Sequence, residues 1–296
     1  MINNEKRLNQ EIQIVHKELF DIKNSLSYKV GKKITKTKIF SMLYWIKKKL
    51  SKKIPGEEKI DSMYVTNDIY PDLSKHKIAI YTCITGDYDN VVEPMYCNEN
   101  IDYILFTNNK KIKSNNWKII YVDNKNKLDN VMLNRYIKMH PFEYLEGYDY
   151  SIYIDGNIKI YVDISCYVEK INNKYGLALS MHSSRNKLSD EVKACEMLKK
   201  GNIEELEKEI NFFIKDGMPD DYGLLEAPII ATNLKSKVAY EILNEWWDCF
   251  SSSKAYRDQI FLPYILWKRN IKIKEIGTLS NNIWLDAKIE KEKHKR

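Results

Sequence analysis

The segment YDYSIYIDGNIKIYVD, residues 148–163, has the composition of a buried β-strand with a polar interruption in its middle. Apolar side chains fill positions 152–154, and apolar character resumes at Ile158. Between them lie Asp155, Gly156 and Asn157, which are residue types that favour turns. The segment therefore predicts a strand that leaves the core at an oxygen-rich turn.

Other short apolar segments alternate with segments of helical periodicity. Strands are predicted over 77–86, 101–109, 117–124, 176–182, 227–233 and 271–277, and helices over 130–142, 189–199, 203–214, 235–250 and 257–269. This alternation predicts an α/β sandwich with a mostly parallel sheet. In such folds, ligands bind beyond the carboxyl ends of the strands. The chain has neither a Gly-x-Gly-x-x-Gly motif nor a Walker loop, which disfavours a classical dinucleotide-binding fold.

The excess positive charge is concentrated near the N-terminus. The net charge of the chain is +7, and residues 1–60 carry 15 Lys/Arg against 6 Asp/Glu. Within residues 8–26, apolar side chains repeat at alternating spacings of four and three, at Leu8, Ile12, Val15, Leu19, Ile22 and Leu26. This pattern indicates either a short coiled coil that joins copies of the chain or one amphipathic helix docked on its own domain.

A basic helix is predicted after this seam. Residues 22–54 contain eleven lysines and no acidic residue, and an apolar stripe runs through Ile39, Leu43, Ile46 and Leu50. Lysines opposite an apolar face favour an anionic membrane surface, the alternative being a solvated basic helix. Binding to nucleic acid is disfavoured, because in zipper proteins the basic region precedes the seam, whereas here it follows. Pro55-Gly56 marks the end of this arm, residues 1–56.

The remaining composition favours a cytoplasmic protein. The first residues are hydrophilic, and no segment approaches the roughly 18 to 20 apolar residues of a membrane span. The five cysteines are scattered singly, which suits free thiols in a reducing compartment. We therefore expect a cytoplasmic protein that associates peripherally with the inner face of the membrane.

The turn at 155–157 is the candidate metal site. Mg²⁺ and Mn²⁺ prefer oxygen ligands and leave positions for water and phosphate. Asp155 and Asn157, separated by Gly156, could reach one cation, which would then bridge to a nucleotide diphosphate. The alternative is an ordinary Asp-Gly-Asn turn.

Other polar groups are predicted at neighbouring positions. The loop ITGDYD follows the first strand and brings Thr85, Asp87 and Asp89 to a position suited to a nucleoside. Arg135 and Lys138 are three residues apart on one helix and share a face, which suits a phosphate or the acidic turn. A solvated helix face is the alternative.

Two further groups follow in the second half of the chain. His182 and Arg185 come just after a strand and suit a sugar hydroxyl, a diphosphate or a third metal ligand, unless they belong to an ordinary surface loop. Arg257, Asp258 and Gln259 begin an apolar helix, where Asp258 is either an N-terminal cap or the carboxylate that accepts a proton or orients the sugar. Glu226 is the rival candidate for that carboxylate.

Taken in order, CITGDYD, NRYIKMHPFEYLEGYDYSIYIDGNI, MHSSRN and RDQIF resemble the motifs of the TOD1/MUCI70-type glycosyltransferase-like domains, over residues 77 to about 277. The resemblance implies a GT-A-type fold, a nucleotide-sugar donor, most simply a UDP-sugar, and Mn²⁺ or Mg²⁺ held by a DxD-like motif. It places Asp155 and Asn157 on that motif, His182 and Arg185 on a His-x-x-Arg motif, and Arg257 to Gln259 on an Arg-Asp-Gln motif. Asn157 stands where a stricter motif has a second Asp.

The sequence thus predicts a helical arm (1–56), a GT-A-type domain (77–280) and a charged C-terminal tail (281–296). We expect a metal-dependent glycosyltransferase that acts on a glycan or lipid-linked acceptor in the biosynthesis of a surface polysaccharide. One alternative is a non-catalytic scaffold of a polysaccharide-assembly complex. The other is a hydrolase, which would have to work without a Gly-x-Ser-x-Gly nucleophile elbow.

Overall fold

The computed structural model describes residues 73–295. The predicted arm, with its coiled-coil seam and its basic helix, lies outside the described residues. The expectations of a membrane surface and of an oligomer formed through residues 8–26 depend on that arm. Within residues 73–295, no helix is both long enough and apolar enough to span a membrane.

The described residues form eight strands and seven α-helices. The strands are β1 (Ile78–Cys83), β2 (Ile101–Thr107), β3 (Lys118–Tyr121), β4 (Tyr150–Ile154), β5 (Ile158–Ile160), β6 (Leu177–Met181), β7 (Leu225–Asn233) and β8 (Ile289–Lys291). The helices are α1 (Asn130–Met139), α2 (Pro141–Tyr144), α3 (Leu188–Met197), α4 (Ile203–Lys215), α5 (Lys237–Ser252), α6 (Phe261–Lys268) and α7 (Ile273–Ile276). Short 3₁₀ turns cover Leu73–Lys75, Ser165–Lys170, Asp258–Ile260 and Ile283–Leu285.

Six strands form the central sheet in the order β3-β2-β1-β4-β7-β6. β1 pairs in parallel with β2 and β4, and β2 pairs in parallel with β3. β7 is antiparallel to both of its neighbours, β4 and β6, so it alone in this sheet runs in the reverse direction. The predicted α/β sandwich with a mostly parallel sheet is confirmed.

The sheet separates two apolar clusters, and β1 shows why. All six of its residues are buried, as expected of a strand that is covered on both faces. Because side chains alternate along a strand, Ala79, Tyr81 and Cys83 pack with the helices, and Ile78 and Ile80 pack on the opposite face. The alternation fixes the register, since a shift of one residue would exchange the two faces.

The strand predicted over 271–277 is wrong. The structure places α7, a four-residue helix, at Ile273–Ile276. Ile273 and Ile276 are both buried, which is the spacing of a helix face, and the side chain of Glu275 accepts a hydrogen bond from the backbone of Lys272 at 2.9 Å. The alternation of Ile and Lys at the start of the segment resembles a strand, but the pattern continues with the period of a helix.

The C-terminal segment that the sequence predicts to be a charged tail packs, over residues 281–295, against the sheet layer. β8 pairs with β5 in a second, two-stranded sheet. Ile283 and Ile289 are buried in the cluster opposite the helices, while Glu290 and Lys291 are exposed. The exposed charged residues give the segment its hydrophilic composition, and the isolated isoleucines anchor it.

Candidate functional site

The polar turn of the first quoted segment lies where β4 ends. The backbone N–H of Asp155 donates to the carbonyl of Pro228 at 2.8 Å, and the N–H of Ile158 donates to the carbonyl of Asp155 at 2.9 Å. A Cβ on Gly156 would lie 2.9 Å from Cγ1 of Ile84, so glycine allows the close approach of the β1 end. The predicted strand, turn and strand are confirmed.

Asp155 is the half-exposed member of a charged cluster. Its Oδ1 accepts a hydrogen bond from the Tyr153 hydroxyl at 3.0 Å and lies 3.8 Å from Nζ of Lys138. The Asp155 side chain is 37% exposed, whereas that of Lys138 is only 4% exposed. The carboxylate therefore faces outward from a buried cation, and a ligand can reach it.

Asp258 is the buried member of the same cluster. Its Oδ2 lies 3.3 Å from Nζ of Lys138 and 3.0 Å from Nε of Arg135. Burial by itself would raise the pKa of Asp258, but Arg135, Lys138 and Arg257 outweigh it and hold the pKa well below its usual value. The indole N–H of Trp246 donates to the Asp258 carbonyl at 2.8 Å. Asp258 is thus a permanent anion at neutral pH, fixed by its backbone and by two cations.

A second polar cluster surrounds Glu191, which is fully buried. Arg185 Nε lies 2.7 Å from Glu191 Oε2, and Arg257 Nη2 lies 2.7 Å from Glu191 Oε1. Burial would raise the pKa of Glu191, but Arg257 and Arg185 lower it overall. Since Asp258 follows Arg257 directly, the two clusters adjoin through one peptide bond.

His182 lies between two carboxylates of this second cluster. Its Nε2 is 3.7 Å from Glu191 Oε2, and its Nδ1 is 3.5 Å from Glu226 Oε1. The backbone N–H groups of Ser184 and Arg185 donate to Nδ1 at 3.2 and 3.1 Å, so the proton of a neutral imidazole lies on Nε2. Burial, first of all, lowers the pKa of His182, which keeps the ring neutral near pH 7.

Two polar atoms in this region are buried without a hydrogen-bond partner among the residues described. Glu226 is held through Oε1 by the Ser183 hydroxyl at 2.8 Å, and its Oε2 has no partner. Gln259 accepts a hydrogen bond from Arg257 through Oε1, and its Nε2 has no partner. Orphaned buried groups cost free energy and are uncommon in native proteins, so each indicates a position that a ligand or water completes.

An open cavity of about 860 Å³ lies among the loops that follow the first strands of the sheet. It is bounded by the loops after β1 and β2 and by the start of α1, and its lining includes Gly86, Asp87, Asp89, Asn108, Asn109 and Asn130. The Thr85 hydroxyl donates to the Asn130 carbonyl at 2.7 Å, and Asn108 Oδ1 accepts from the Gly86 N–H at 2.7 Å. Thr85 therefore shapes the wall of the cavity and does not line it.

The C-terminal segment 292–295 contacts three of the predicted residues. Asn157 Nδ2 donates to the carbonyl of Glu292 at 2.8 Å. His294 Nδ1 lies 3.1 Å from Asp89, and Lys295 Nζ lies 2.6 Å from Asp87. Asn157 is consequently 3% exposed.

The structure thus places the predicted residues in three adjoining groups. Asp155, Arg135, Lys138 and Asp258 form the first; His182, Arg185, Glu226, Arg257 and Gln259 form the second around Glu191; and Asp87, Asp89 and Asn157 meet the C-terminal segment. The sequence analysis does not include Asn108, Asn109, Tyr153, His294 or Lys295. Asn108 and Asn109 end the strand predicted over 101–109, and the observed strand stops before them at Thr107. Polar residues at a strand end are the signal that identified the turn at 155–157, whereas no local signal marks His294.

The donor atoms at the 155–157 turn fit a divalent cation only in part. Within residues 73–295, no three His, Cys, Asp or Glu side chains are grouped to hold a metal ion. The Asp155 carboxylate is accessible, and Oδ1 is the one atom of the Asn157 amide able to bind a cation. Two oxygens suit Mg²⁺ or Mn²⁺ when substrate phosphates and waters complete the shell.

Comparison with known proteins identifies the family to which the chain is similar. Residues 54–239 match the family model described as TOD1/MUCI70, glycosyltransferase-like domain. That range contains the 155–157 turn, His182 and Glu226, and it ends before Arg257. A search of curated proteins finds no match.

Among solved structures, the chain is similar to the apo structure of the bifunctional glycosyltransferase WbbM, with 13% identity and a TM-score of 0.42. The match covers 71% of this chain and 39% of the WbbM chain, so this chain spans about two fifths of that protein. It is also similar to the galactosyltransferase LgtC in complex with donor and acceptor sugar analogs, with 12% identity, a TM-score of 0.43, and coverage of 72% of this chain and 86% of the other.

Proposed function

Because the chain belongs to the TOD1/MUCI70 family of glycosyltransferase-like domains, we propose that it transfers a sugar from a nucleoside diphosphate to a glycan or lipid-linked acceptor. The observation that carries this proposal is the charged cluster of Lys138, Arg135, Asp258 and Asp155 at the edge of the sheet, in a fold that also has an open cavity between the loops after β1 and β2. Ligands of α/β proteins bind at this edge.

The cavity is the proposed position of the nucleoside. Its wall is held by hydrogen bonds between loops: Asn108 Nδ2 donates to Asn130 Oδ1 at 2.9 Å, and Asn109 Nδ2 donates to the Gly86 carbonyl at 2.7 Å. Nucleosides bind in preformed clefts with a few oriented polar groups. Asp87 and Asp89 line the same cavity and lie close to the proposed nucleoside.

Asp155 and Asn157 are the proposed ligands of Mn²⁺ or Mg²⁺. When bound, such a cation would neutralise charge on the diphosphate leaving group. Arg135 and Lys138 lie on the inner side of Asp155 and act on the same negative charge. Because Lys138 is almost fully buried, its charge is screened little by solvent.

We assign different roles to the two candidate catalytic carboxylates. Asp258 has a depressed pKa and two cationic partners, so it is a poor proton acceptor near neutral pH and orients the sugar or its cationic neighbours. Glu226 carries the unpartnered oxygen and is the better candidate to accept a hydrogen bond or a proton from an acceptor hydroxyl. The sequence leaves Asp258 as either base or orienter, with Glu226 as its rival, and this assignment gives the orienting role to Asp258 and the role of base to Glu226.

The test is hydrolysis and transfer by the purified full chain with a panel of UDP-, GDP- and CDP-sugars in Mn²⁺, measured as released nucleotide. We expect turnover with at least one donor, and loss of most of it in Asp155→Asn. Asp221→Asn, which removes an exposed carboxylate outside the site, should behave as wild type. Absence of turnover above background with every donor would contradict the proposal and favour a scaffold.

For residues 1–56 we retain the proposals of a membrane-binding helix and a coiled coil, with the reaction at the cytoplasmic face of the membrane. Leu19→Asp should convert an oligomer of the full chain to a monomer in light scattering. An unchanged mass would contradict the coiled coil.

A further inference from the structure

The C-terminal segment 292–295 joins two loops that are distant in the sequence. It contacts the loop after β1 through Asp87 and Asp89, and the turn after β4 through Asn157. These residues lie about 200 and 135 positions upstream of the segment. The segment also lies outside the residues that match the family model, 54–239.

His294 is held at both ring nitrogens. Nδ1 lies 3.1 Å from each carboxylate oxygen of Asp89, and Nε2 lies 3.4 Å from Asn157 Nδ2. A carboxylate only accepts and an amide nitrogen only donates, so the ring carries its proton on Nδ1 and accepts at Nε2. The ring of Tyr88 packs against His294 with its centroid 5.2 Å away.

These contacts determine the orientation of the Asn157 amide. Nδ2 donates to the Glu292 carbonyl at 2.8 Å and faces His294, while the backbone of Glu292 donates to the Asn157 carbonyl at 2.8 Å. An amide whose nitrogen is engaged on one side presents its oxygen on the other. The C-terminal segment thereby holds the nitrogen of the Asn157 amide and leaves Oδ1 as the atom of this amide that can bind a cation.

Lys295 balances the charge of the adjoining loop. Its Nζ lies 2.6 Å from Asp87 Oδ1, and its backbone N–H donates to Asp89 at 3.3 Å. Without these partners, two carboxylates would lie beside the proposed nucleoside and would repel the negatively charged nucleotide as a whole. The segment therefore supplies both orientation and charge to the edge of the sheet.

We propose that residues 292–295 are a positioning element of the donor site, in which His294 and Glu292 fix Asn157 for a divalent cation and Lys295 neutralises Asp87. The inference rests on the proposed function, because it requires that a nucleoside diphosphate binds here with a cation. It adds a role for a segment that neither the motifs nor the family match includes.

The test measures the binding of UDP to the full chain by isothermal titration, once in Mn²⁺ and once in EDTA. The quantity of interest is the dissociation constant in EDTA divided by the dissociation constant in Mn²⁺, because this ratio isolates the contribution of the cation. We expect His294→Ala to lower this ratio about tenfold, the effect of losing one hydrogen bond that orients a charged site. Lys293→Ala removes a neighbouring charge whose side chain has no hydrogen bond or ion pair with the described residues, and it should leave the ratio unchanged.

A merely structural role would weaken binding equally in Mn²⁺ and EDTA and leave the ratio intact, which would overturn the inference. Tighter binding in His294→Ala would also overturn it, because the segment would then only cover the site. Lys295→Met provides a second variant and should weaken UDP binding in both conditions. If wild type bound UDP without any effect of Mn²⁺, the inference would fail and the proposed transferase would stand; if wild type bound none of UDP, GDP and CDP, both would fail.

Discussion

Nζ of Lys138 lies 3.3 Å from Oδ2 of Asp258, a contact between residues that are 120 positions apart. It joins α1 to the 3₁₀ turn before α6, and both side chains are almost fully buried. The rings of Tyr153 and Trp246 lie 5.1 and 5.7 Å from the same Nζ. The contact therefore holds a charged site inside an apolar layer.

Replacement of Lys138 by Met should destabilise the fold, because it leaves Asp258 buried with Arg135 as its remaining close cation. Loss of one partner of a buried ion pair costs about 3 to 5 kcal/mol, and with Arg135 present we expect about 3 kcal/mol. Urea unfolding measures the difference. The control is Lys268→Met, whose ion pair with Asp216 is far more exposed and should cost less than about 1 kcal/mol. Equal costs for the two variants would contradict the prediction.

The stability of the protein should depend on the ionisation of Asp258 in acid. Its folded pKa is depressed, so its contribution to stability is fully present above the unfolded value of about 3.9 and is lost as the pH falls from there toward the folded pKa. The difference in unfolding free energy between wild type and Asp258→Asn should be constant from pH 7 to about 5 and should shrink below about pH 4. Denaturant titrations at each pH measure it, with 0.5 M NaCl as a control that affects a buried pair little. A difference that grows toward acid would contradict the sign.

Gln259→Met should separate function from stability. Nε2 of Gln259 has no partner among the described residues, and Arg257, which donates to Oε1, keeps Glu191 as an acceptor. Removal of the amide should therefore change the unfolding free energy by only about 1 kcal/mol. We propose that this unpartnered amide contacts the donor sugar, and turnover of the sugar should therefore fall about tenfold or more in the variant. The comparison is Glu191→Gln, which removes the charge of a buried carboxylate that pairs with two partly buried arginines and should cost about 3 kcal/mol. A stable Glu191→Gln variant together with an unfolded Gln259→Met variant would contradict both assignments.

Gly86→Ala and Gly147→Ala should differ, although both glycines have a positive φ, +60° and +86°. A Cβ at Gly147 would meet no atom within 4 Å, so this variant reports the backbone strain alone, about 1 kcal/mol. A Cβ at Gly86 would lie 2.4 Å from Asn130 Nδ2, so it must also displace a wall of the cavity. We expect a larger loss of stability for Gly86→Ala and weaker nucleotide binding for that variant only, by thermal melting and titration. Equal effects on nucleotide binding would show that Asn130 does not shape the site.

Much of the fold follows from local patterns in the sequence. β1, β2 and β4 are short apolar segments that end in polar residues. Both the apolar run and its polar end can be recognised from residues that are adjacent in the chain. The same local signal led to Asp155, Asp87 and His182, because parallel strands bring their carboxyl ends to one edge. Only at 271–277 did alternation mislead, where a four-residue helix follows two strand-like positions.

The remaining features depend on contacts that no local pattern encodes. β7 runs in reverse, so Glu226 reaches the site from the beginning of its strand. A search for polar residues at the carboxyl ends of strands therefore does not find it. The pairing of His294 with Asp89 spans 205 positions. The sequence marks Asp89 as a candidate in the loop after a strand, but nothing in it marks His294, and only the packing of β8 on β5 brings the two together.

The reversed direction of β7 also has a consequence for variation among relatives. Met181 at the end of β6 pairs with Leu225 at the start of β7, so residues 182–224, with α3 and α4, leave the sheet and return to it at one point. The free energy of closing such an excursion rises only slowly with its length. Insertions and exchanges far from the base of this excursion would therefore leave the strand register unchanged, while His182 and Glu226 stay fixed at its base. The fold thus provides one segment whose length can change, away from Arg185 and Glu191, while the strands and the polar clusters keep their positions.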